Sequence, residues 1–327
     1  MFLTSRKGRS HGRQMVIVAG GVLMLAAMAV PGQALASASP GVRTSAAHAS
    51  NPATRTSAAR ASVRPGTQSC NDVEFIGARG SGEKYGPFRG LGAEVNKLVT
   101  VAQGVLRKHH ITSGLDAVPY PADSVNDLKP SGAEIMGLSN PMTAAATLVI
   151  YYEHNVRKYL ASISQGVTDT VFDVHTYHNV CPSTVFVLAG YSQGAMVMHQ
   201  AENKISADHF RVIVRRIAGT LLLGDGNRVP HTKAKEFGTS SASAEGIQTY
   251  LTKLSKHPDV LVPKTTANIC NAHDIVCNFN LTNVLHFSSS GKVHTSYAVC
   301  KSGKCKYESV LTRAATWVAN AVVKRLG

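Results

Sequence analysis

A mainly parallel α/β fold follows from two observations in this 327-residue sequence. Short apolar stretches, Val73 to Ala78, Asp116 to Tyr120, Thr184 to Ala189 and Ile217 to Gly224, read as strands buried on both faces. They alternate with segments whose apolar residues recur at helical spacing, and this alternation places helices on both sides of one sheet.

The first residues carry Arg6, Lys7, Arg9 and Arg13 without an acid. An apolar run from Met15 to Val30 follows, and then the small-residue site Ala34-Leu35-Ala36. That order is a secretory signal peptide over residues 1–36, with cleavage after Ala36 or Ala38; left uncleaved, the same run would be a membrane anchor. Residues 37–69 are almost wholly Ala, Ser, Thr, Arg and Pro, so they bury too little apolar surface to offset their ordering entropy and read as a disordered linker. Its arginines, Arg43, Arg55, Arg60 and Arg64, are suited to an anionic envelope surface. Residues 70–327 remain as one domain with one sizeable core.

The formal charge of +15 overstates that domain. Residues 1–69 hold eight of the 34 Lys and Arg and none of the 19 Asp and Glu, which leaves 26 against 19, a net of +7. Those basic residues are scattered and no aromatic-interleaved basic stripe occurs, which argues against nucleic acid as a partner.

Within the domain, Leu91, Val95, Leu98, Val99, Ala102, Val105 and Leu106 mark a helix. The stretch from about Met142 to His178 reads as one or two helices broken near Gly166, and a further helix runs from Gly194 to about Lys204. Glu308 to Leu326 closes the chain with Val310, Leu311, Ala314, Trp317, Val318 and Val322 on one face. Asn227 to about Thr266 is rich in Ser, Gly, Lys and Pro, reads as exposed and irregular, and is too polar for an amphipathic lid.

Gly190-Tyr191-Ser192-Gln193-Gly194 follows the strand Val185-Phe186-Val187-Leu188-Ala189 directly and has the form of a nucleophile elbow. A sharp strand-to-helix turn projects the serine hydroxyl above the sheet at a helix N-terminus, and side chains at either flanking glycine would collide with the neighbouring strand and helix. Serine chemistry needs a base, and an acid to orient it, in the chain order Ser, Asp, His. Asp274 is the favoured acid because a Cys270–Cys277 ring would hold it rigidly; Asp225 in Gly-Asp-Gly-Asn reads as turn chemistry, and Asp259 lies in a Pro-flanked loop. His294, in a loop before a cysteine-closed turn, is the favoured base over His286, which follows Val284-Leu285 and reads as partly buried. His273 is adjacent to the acid and poorly placed to partner it; His175 and His178 lack a third metal ligand. The Gln193 amide and Ser81, in Ala78-Arg79-Gly80-Ser81-Gly82, supply the two donors of an oxyanion hole, Ser81 through its amide and hydroxyl.

All six cysteines fall in the folded part of an exported chain, which argues for disulfides; about 15 pairings are formally possible. Proximity favours Cys270 with Cys277 and Cys300 with Cys305, which leaves Cys70 and Cys181 to tie neighbouring strands at one sheet edge. No C-x2-C pair is present, so no zinc site or other metal is expected.

Together these motifs resemble the cutinases, small secreted serine esterases. Cys70 to Ser81 looks like the family's first strand and oxyanion turn, and Val118-Pro119-Tyr120-Pro121-Ala122 like its second strand end. Gly190 to Gly194 resembles the family's elbow, and Cys270-x3-Asp274-x2-Cys277 its acid loop. The resemblance implies an α/β-hydrolase fold, a three-layer sandwich with a short central sheet of about five strands. It also implies a shallow site without a lid, and no cofactor. Substrates would be lipid esters, cutin-like polyesters or small esters, and the protein would act as a monomer. The family's acid-to-histidine spacing is nearer to His286, whereas His294 keeps its His-x-x-Tyr pattern. Two rival functions are an acetylxylan esterase and a catalytically silent lipid- or envelope-binding protein.

Overall fold

The computed structural model describes residues 70–124, 155–207, 211–248, 258–301 and 304–327. The expected leader and linker, and the part of the long helical stretch before residue 155, lie outside the described residues. In chain order the elements are β1 (Val73–Ala78), α1 (Gly92–Lys108), β2 (Ser113–Ala117), α2 (Arg157–Val180), β3 (Val185–Tyr191) and α3 (Gln193–Ala207). There follow α4 (Arg211–Val214), β4 (Ile217–Leu223), β5 (Lys235–Gly238), β6 (Thr266–Cys270), α5 (Leu281–Leu285) and α6 (Phe287–His294). A small hairpin of β7 (Cys300–Lys301) and β8 (Lys304–Cys305) leads to α7 (Glu308–Leu326).

Six strands form one sheet in the order β2-β1-β3-β4-β6-β5, and each neighbouring pair is parallel. Alternate residues feed two cores. Val73 and Phe75 of β1 and Val185, Val187 and Ala189 of β3 pack with α1 and α7, whereas Ile76, Ala78, Phe186 and Leu188 pack with α2 and α3. Both faces are covered, which is why these strands are largely apolar on both faces rather than alternating with polar residues, Glu74 of β1 being buried with the rest. Among the described residues no helix is long and apolar enough to cross a membrane.

The structure corrects several expectations. The second strand is Ser113–Ala117, not Asp116 to Tyr120. Pro119 and Pro121 have no N–H to give a ladder, and the carbonyls of Val118, Tyr120 and Pro121 are taken by the Arg79 guanidinium instead. Helix α2 runs unbroken through Gly166. A Cβ there would lie 2.7 Å from Val197 and 3.0 Å from Tyr120, so this glycine allows α2 to approach α3 closely and does not end the helix. The sheet has six strands, not about five, because β5 lies within, and β6 closes, the stretch expected to be irregular. That stretch is not simply exposed. Arg228 is fully buried and donates to the Ser240 hydroxyl, the carbonyls of Ser241 and Cys277, and the Glu236 carboxylate.

Cys70 is bonded to Cys181, and Cys270 to Cys277, across Cα separations of 5.6 and 6.0 Å. The first bridge joins the approaches to β1 and β3, and since β2 lies outside β1 it sits at the strands' N-terminal ends rather than at a sheet edge. Cys300 is disulfide-bonded, and the backbone register of the hairpin sets it opposite Cys305.

Candidate active site

Parallel strands bring their following loops to one end of the sheet, and the register decides which loops meet. Ala78 pairs with Gly190, Tyr191 with Leu223, and Leu223 with Ile269. The turn after β1, the elbow after β3 and the acid loop after β6 therefore lie side by side, at the point where chain order reverses between β1 and β3.

Ser192 sits at φ 54°, the strained conformation of an elbow, with its N–H on the Leu223 carbonyl at 2.8 Å. A Cβ on Gly190 would lie 2.2 Å from the Gly194 carbonyl oxygen, and one on Gly194 would lie 2.1 Å from the Ala78 carbonyl oxygen. Both glycines are thus required by close backbone approach.

His294, the last residue of α6, has Nε2 at 2.8 Å from Ser192 Oγ and Nδ1 at 2.9 Å from both carboxylate oxygens of Asp274. An ionised carboxylate only accepts, so Nδ1 carries the proton and Nε2 offers a lone pair to the serine hydroxyl. Asp274 is fully buried. Burial alone would raise its pKa, but the positive character and hydrogen bonds of His294, the Val276 N–H and the Tyr297 hydroxyl outweigh it, and the net direction is down. The carboxylate accepts from Val276 N–H at 2.8 Å, Cys277 N–H at 3.4 Å and Tyr297 Oη at 2.9 Å.

Of the sequence-predicted residues, His294 is therefore within hydrogen-bonding reach of both Ser192 and Asp274. His286 is exposed, not partly buried, with Nδ1 on the Thr282 carbonyl at 2.9 Å. The segment leading to His294 is helical rather than a loop. Gln193 is buried at the start of α3. Ser81 lies on the turn beside the elbow, but its hydroxyl donates to the Asp123 carbonyl at 2.6 Å, so it is not pre-aimed at a substrate. Among the described residues no group of three or more His, Cys, Asp or Glu side chains gathers to hold a metal ion.

Sequence reasoning missed two tyrosines and one ion pair. Tyr191 donates its hydroxyl to the His294 carbonyl at 2.8 Å and stacks on the imidazole at 5.1 Å between centroids. Tyr297 accepts the Asn271 N–H while donating to Asp274, so it ties the acid loop to the histidine segment. The flanks Gly-Tyr-Ser and His-x-x-Tyr were the available signals. Asp225 makes the expected turn, accepting the Asn227 N–H on Oδ1 at 2.9 Å, and is in addition fully buried with Oδ2 2.7 Å from His199 Nδ1, while His199 Nε2 donates to the Pro258 carbonyl at 3.0 Å. Burial opposes the imidazolium, but the Asp225 charge and hydrogen bond outweigh it, and the His199 pKa is pushed up to about 9.

A parallel sheet between two helical layers, with a Gly-x-Ser-x-Gly turn ending a central strand, defines an α/β-hydrolase fold. In agreement, the catalytic core domain of acetyl xylan esterase from Trichoderma reesei superposes with a TM-score of 0.50 at 18% identity, covering 77% of this chain and 100% of that one. The chain belongs to the cutinase family, whose model, described as Cutinase, matches residues 69–306. Curated relatives include a carboxylesterase Culp6 homolog from Corynebacterium glutamicum, 25% identical over 44% of this chain and 53% of that protein. Cutinase 4 from Emericella nidulans is 27% identical over 48% and 50%. The chain spans about half the length of these two relatives.

Proposed function

We propose that this protein is a secreted carboxylic ester hydrolase that acts through an acyl-enzyme on Ser192. The observation that carries this is the continuous hydrogen-bonded line from Ser192 Oγ through both nitrogens of His294 to Asp274. Ser192 Oγ attacks the ester carbonyl carbon while His294 Nε2 takes its proton. The resulting imidazolium faces Asp274, and the oxyanion is met by the Gln193 amide at the start of α3 and by Ser81, whose hydroxyl must leave the Asp123 carbonyl to donate. His294 then returns the proton to the departing alcohol as its C–O bond breaks. Water, deprotonated by the same nitrogen, cleaves the acyl-enzyme and restores the serine.

Lipid esters, polyesters and small esters are the proposed substrates, with residues 1–36 directing export and the basic segment 37–69 lying at an anionic envelope surface. Labelling of the mature protein by a fluorophosphonate, lost in Ser192→Ala, tests the mechanism; failure of Ser192 to react would overturn it in favour of a silent binding protein. Initial rates on nitrophenyl esters of increasing acyl length test the substrate class, and a sharp preference for acetate would move the assignment to an acetylxylan esterase.

A further inference from the structure

Asp274 is gripped twice by one stretch of chain. His294 ends α6 and Tyr297 follows it in His-x-x-Tyr; the imidazole Nδ1 lies 2.9 Å from both carboxylate oxygens, and the Tyr297 hydroxyl donates to Oδ2 at 2.9 Å. Oδ1 is held differently, by the main-chain N–H groups of Val276 at 2.8 Å and Cys277 at 3.4 Å, which belong to the acid's own loop. Tyr297 thus fixes the second oxygen from outside that loop.

The direction of that hydrogen bond is set by the backbone. The Asn271 N–H, beside Cys270 at the start of the disulfide ring, donates to Tyr297 Oη at 3.1 Å. With a lone pair engaged there, the single phenolic proton is left for Asp274. The ring is fully buried, edge-on to Tyr191 at 6.5 Å and against Tyr307 at 5.3 Å between centroids, so a packed side chain presents the hydroxyl. We propose that Tyr297 is a positioning residue of the esterase reaction: its hydroxyl holds Asp274 Oδ2 in place and takes up part of the carboxylate's charge, and so sets both the aim and the basicity of His294. This rests on reading Ser192, His294 and Asp274 as the catalytic groups. Tyr297 is not itself a catalytic residue, because it acts on Ser192 only through Asp274 and His294.

Removing the hydroxyl leaves the Asn271 N–H without this acceptor and takes the phenolic donor from Oδ2. The carboxylate is then freer to turn about its Cβ–Cγ bond, and its more concentrated charge favours imidazolium over neutral imidazole. Only the neutral ring can take the serine proton, so the acid limb of kcat/KM moves to higher pH. The groups facing His294 are Asp274 from the acid loop, Tyr191 and Ser192 from the elbow, and Glu94 from α1; those facing Asp274 are His294, Tyr297 and Tyr191. Burial first, and then the charge of Asp274, hold the Tyr297 pKa well above its ordinary value of 10.0, so its proton stays in place while His294 titrates. Glu94, pushed up to about 7 mainly by burial, is common to wild type and variants and cancels in the comparison.

The test uses the full chain and follows kcat and KM on p-nitrophenyl butyrate from pH 5 to 9, with kcat taken per Ser192 labelled by a fluorophosphonate, so that any unfolded fraction drops out. Tyr297→Phe should lower kcat about tenfold or more with KM nearly unchanged, and should move the acid limb of kcat/KM up by about half a pH unit or more. Tyr191→Phe is the comparison: the hydroxyl it loses donates to the neutral His294 carbonyl, so the acid limb should stay where wild type has it. Ring-fluorinated tyrosine at position 297 keeps the ring and gives a more acidic donor, so it should move the limb down, and it decides the question if Tyr297→Phe does not fold. An acid limb that stays in place in both position-297 variants, whatever kcat does, overturns the proposal, and so does an equal movement in Tyr297→Phe and Tyr191→Phe. Wild-type protein that is never labelled at Ser192 overturns the esterase reading itself, and the positioning role with it.

Discussion

Replacing Asp225 by asparagine removes a charge while keeping shape, and the cost can be worked from its partner. His199 is buried on the helix behind the elbow, and its pKa rises from 6.5 to about 9 because Asp225 faces it. That difference corresponds to about 3 kcal/mol, in the range found when one member of a buried pair is removed. For a domain of this size each kcal/mol is worth about 2 °C or more of Tm, so Asp225→Asn should melt about 6 °C lower at pH 6. The pH dependence is the sharper signature. A histidine raised on folding contributes fully below its unfolded pKa and loses that contribution as pH rises through its folded one. The gap between wild type and variant should therefore be widest at pH 6 and should close as pH passes about 9. Thermal unfolding followed by circular dichroism at pH 6, 8 and 10 measures it. A gap of under about 1 °C at pH 6, or one that stays constant to pH 10, would mean that His199 is not held charged by Asp225.

Three further predictions follow from the same geometry. His294→Ala should cost about a thousandfold or more in kcat and His286→Ala under about tenfold; the reverse ranking in steady-state kinetics on a soluble ester would move the base to His286. Cys270→Ser should lower kcat before it lowers global stability, since the Cys270–Cys277 ring carries Asp274 while two large cores hold the rest, and unchanged kcat would show that the ring does not position the acid. Glu74 is buried on β1 with its pKa pushed up to about 7 by burial, which outweighs the opposing Asn71 hydrogen bond; Asp116 adds a smaller upward push and Tyr177 a smaller downward one. Glu74→Gln should therefore stabilise the protein at pH 8, by up to about 3 kcal/mol, and leave pH 4.5 nearly unaffected; equal effects at both pH values would refute it.

Where local pattern determines structure, the sequence was a sufficient guide. The first strand and the last helix fall on the residues their apolar spacing predicts, Val73–Ala78 and Glu308–Leu326. Strand β6 was not legible, because Thr266-Ala267-Asn268-Ile269-Cys270 is short and polar at alternate positions, and only pairing with β4 and β5 makes it a strand. At the site, the elbow and the cysteine ring are local signals, and they point to residues that the fold does bring within hydrogen-bonding reach. Tyr297 on Asp274 and His199 on Asp225 are side-chain contacts set by how segments pack. No spacing rule separates such residues from ordinary buried polar groups.

The contact of Gly194 with the carbonyls of Ala78 and Arg79 has a consequence for how such a site can change over time. Main chain rests directly on main chain there, so the separation of the nucleophile from the oxyanion turn does not depend on the volume of any side chain. Substitutions that reshape the acyl-binding walls can then accumulate without altering that separation. A lineage could drift from one ester to another while its chemical step keeps the same rate, and a change at Gly194 itself would be the rare one that cannot be compensated nearby.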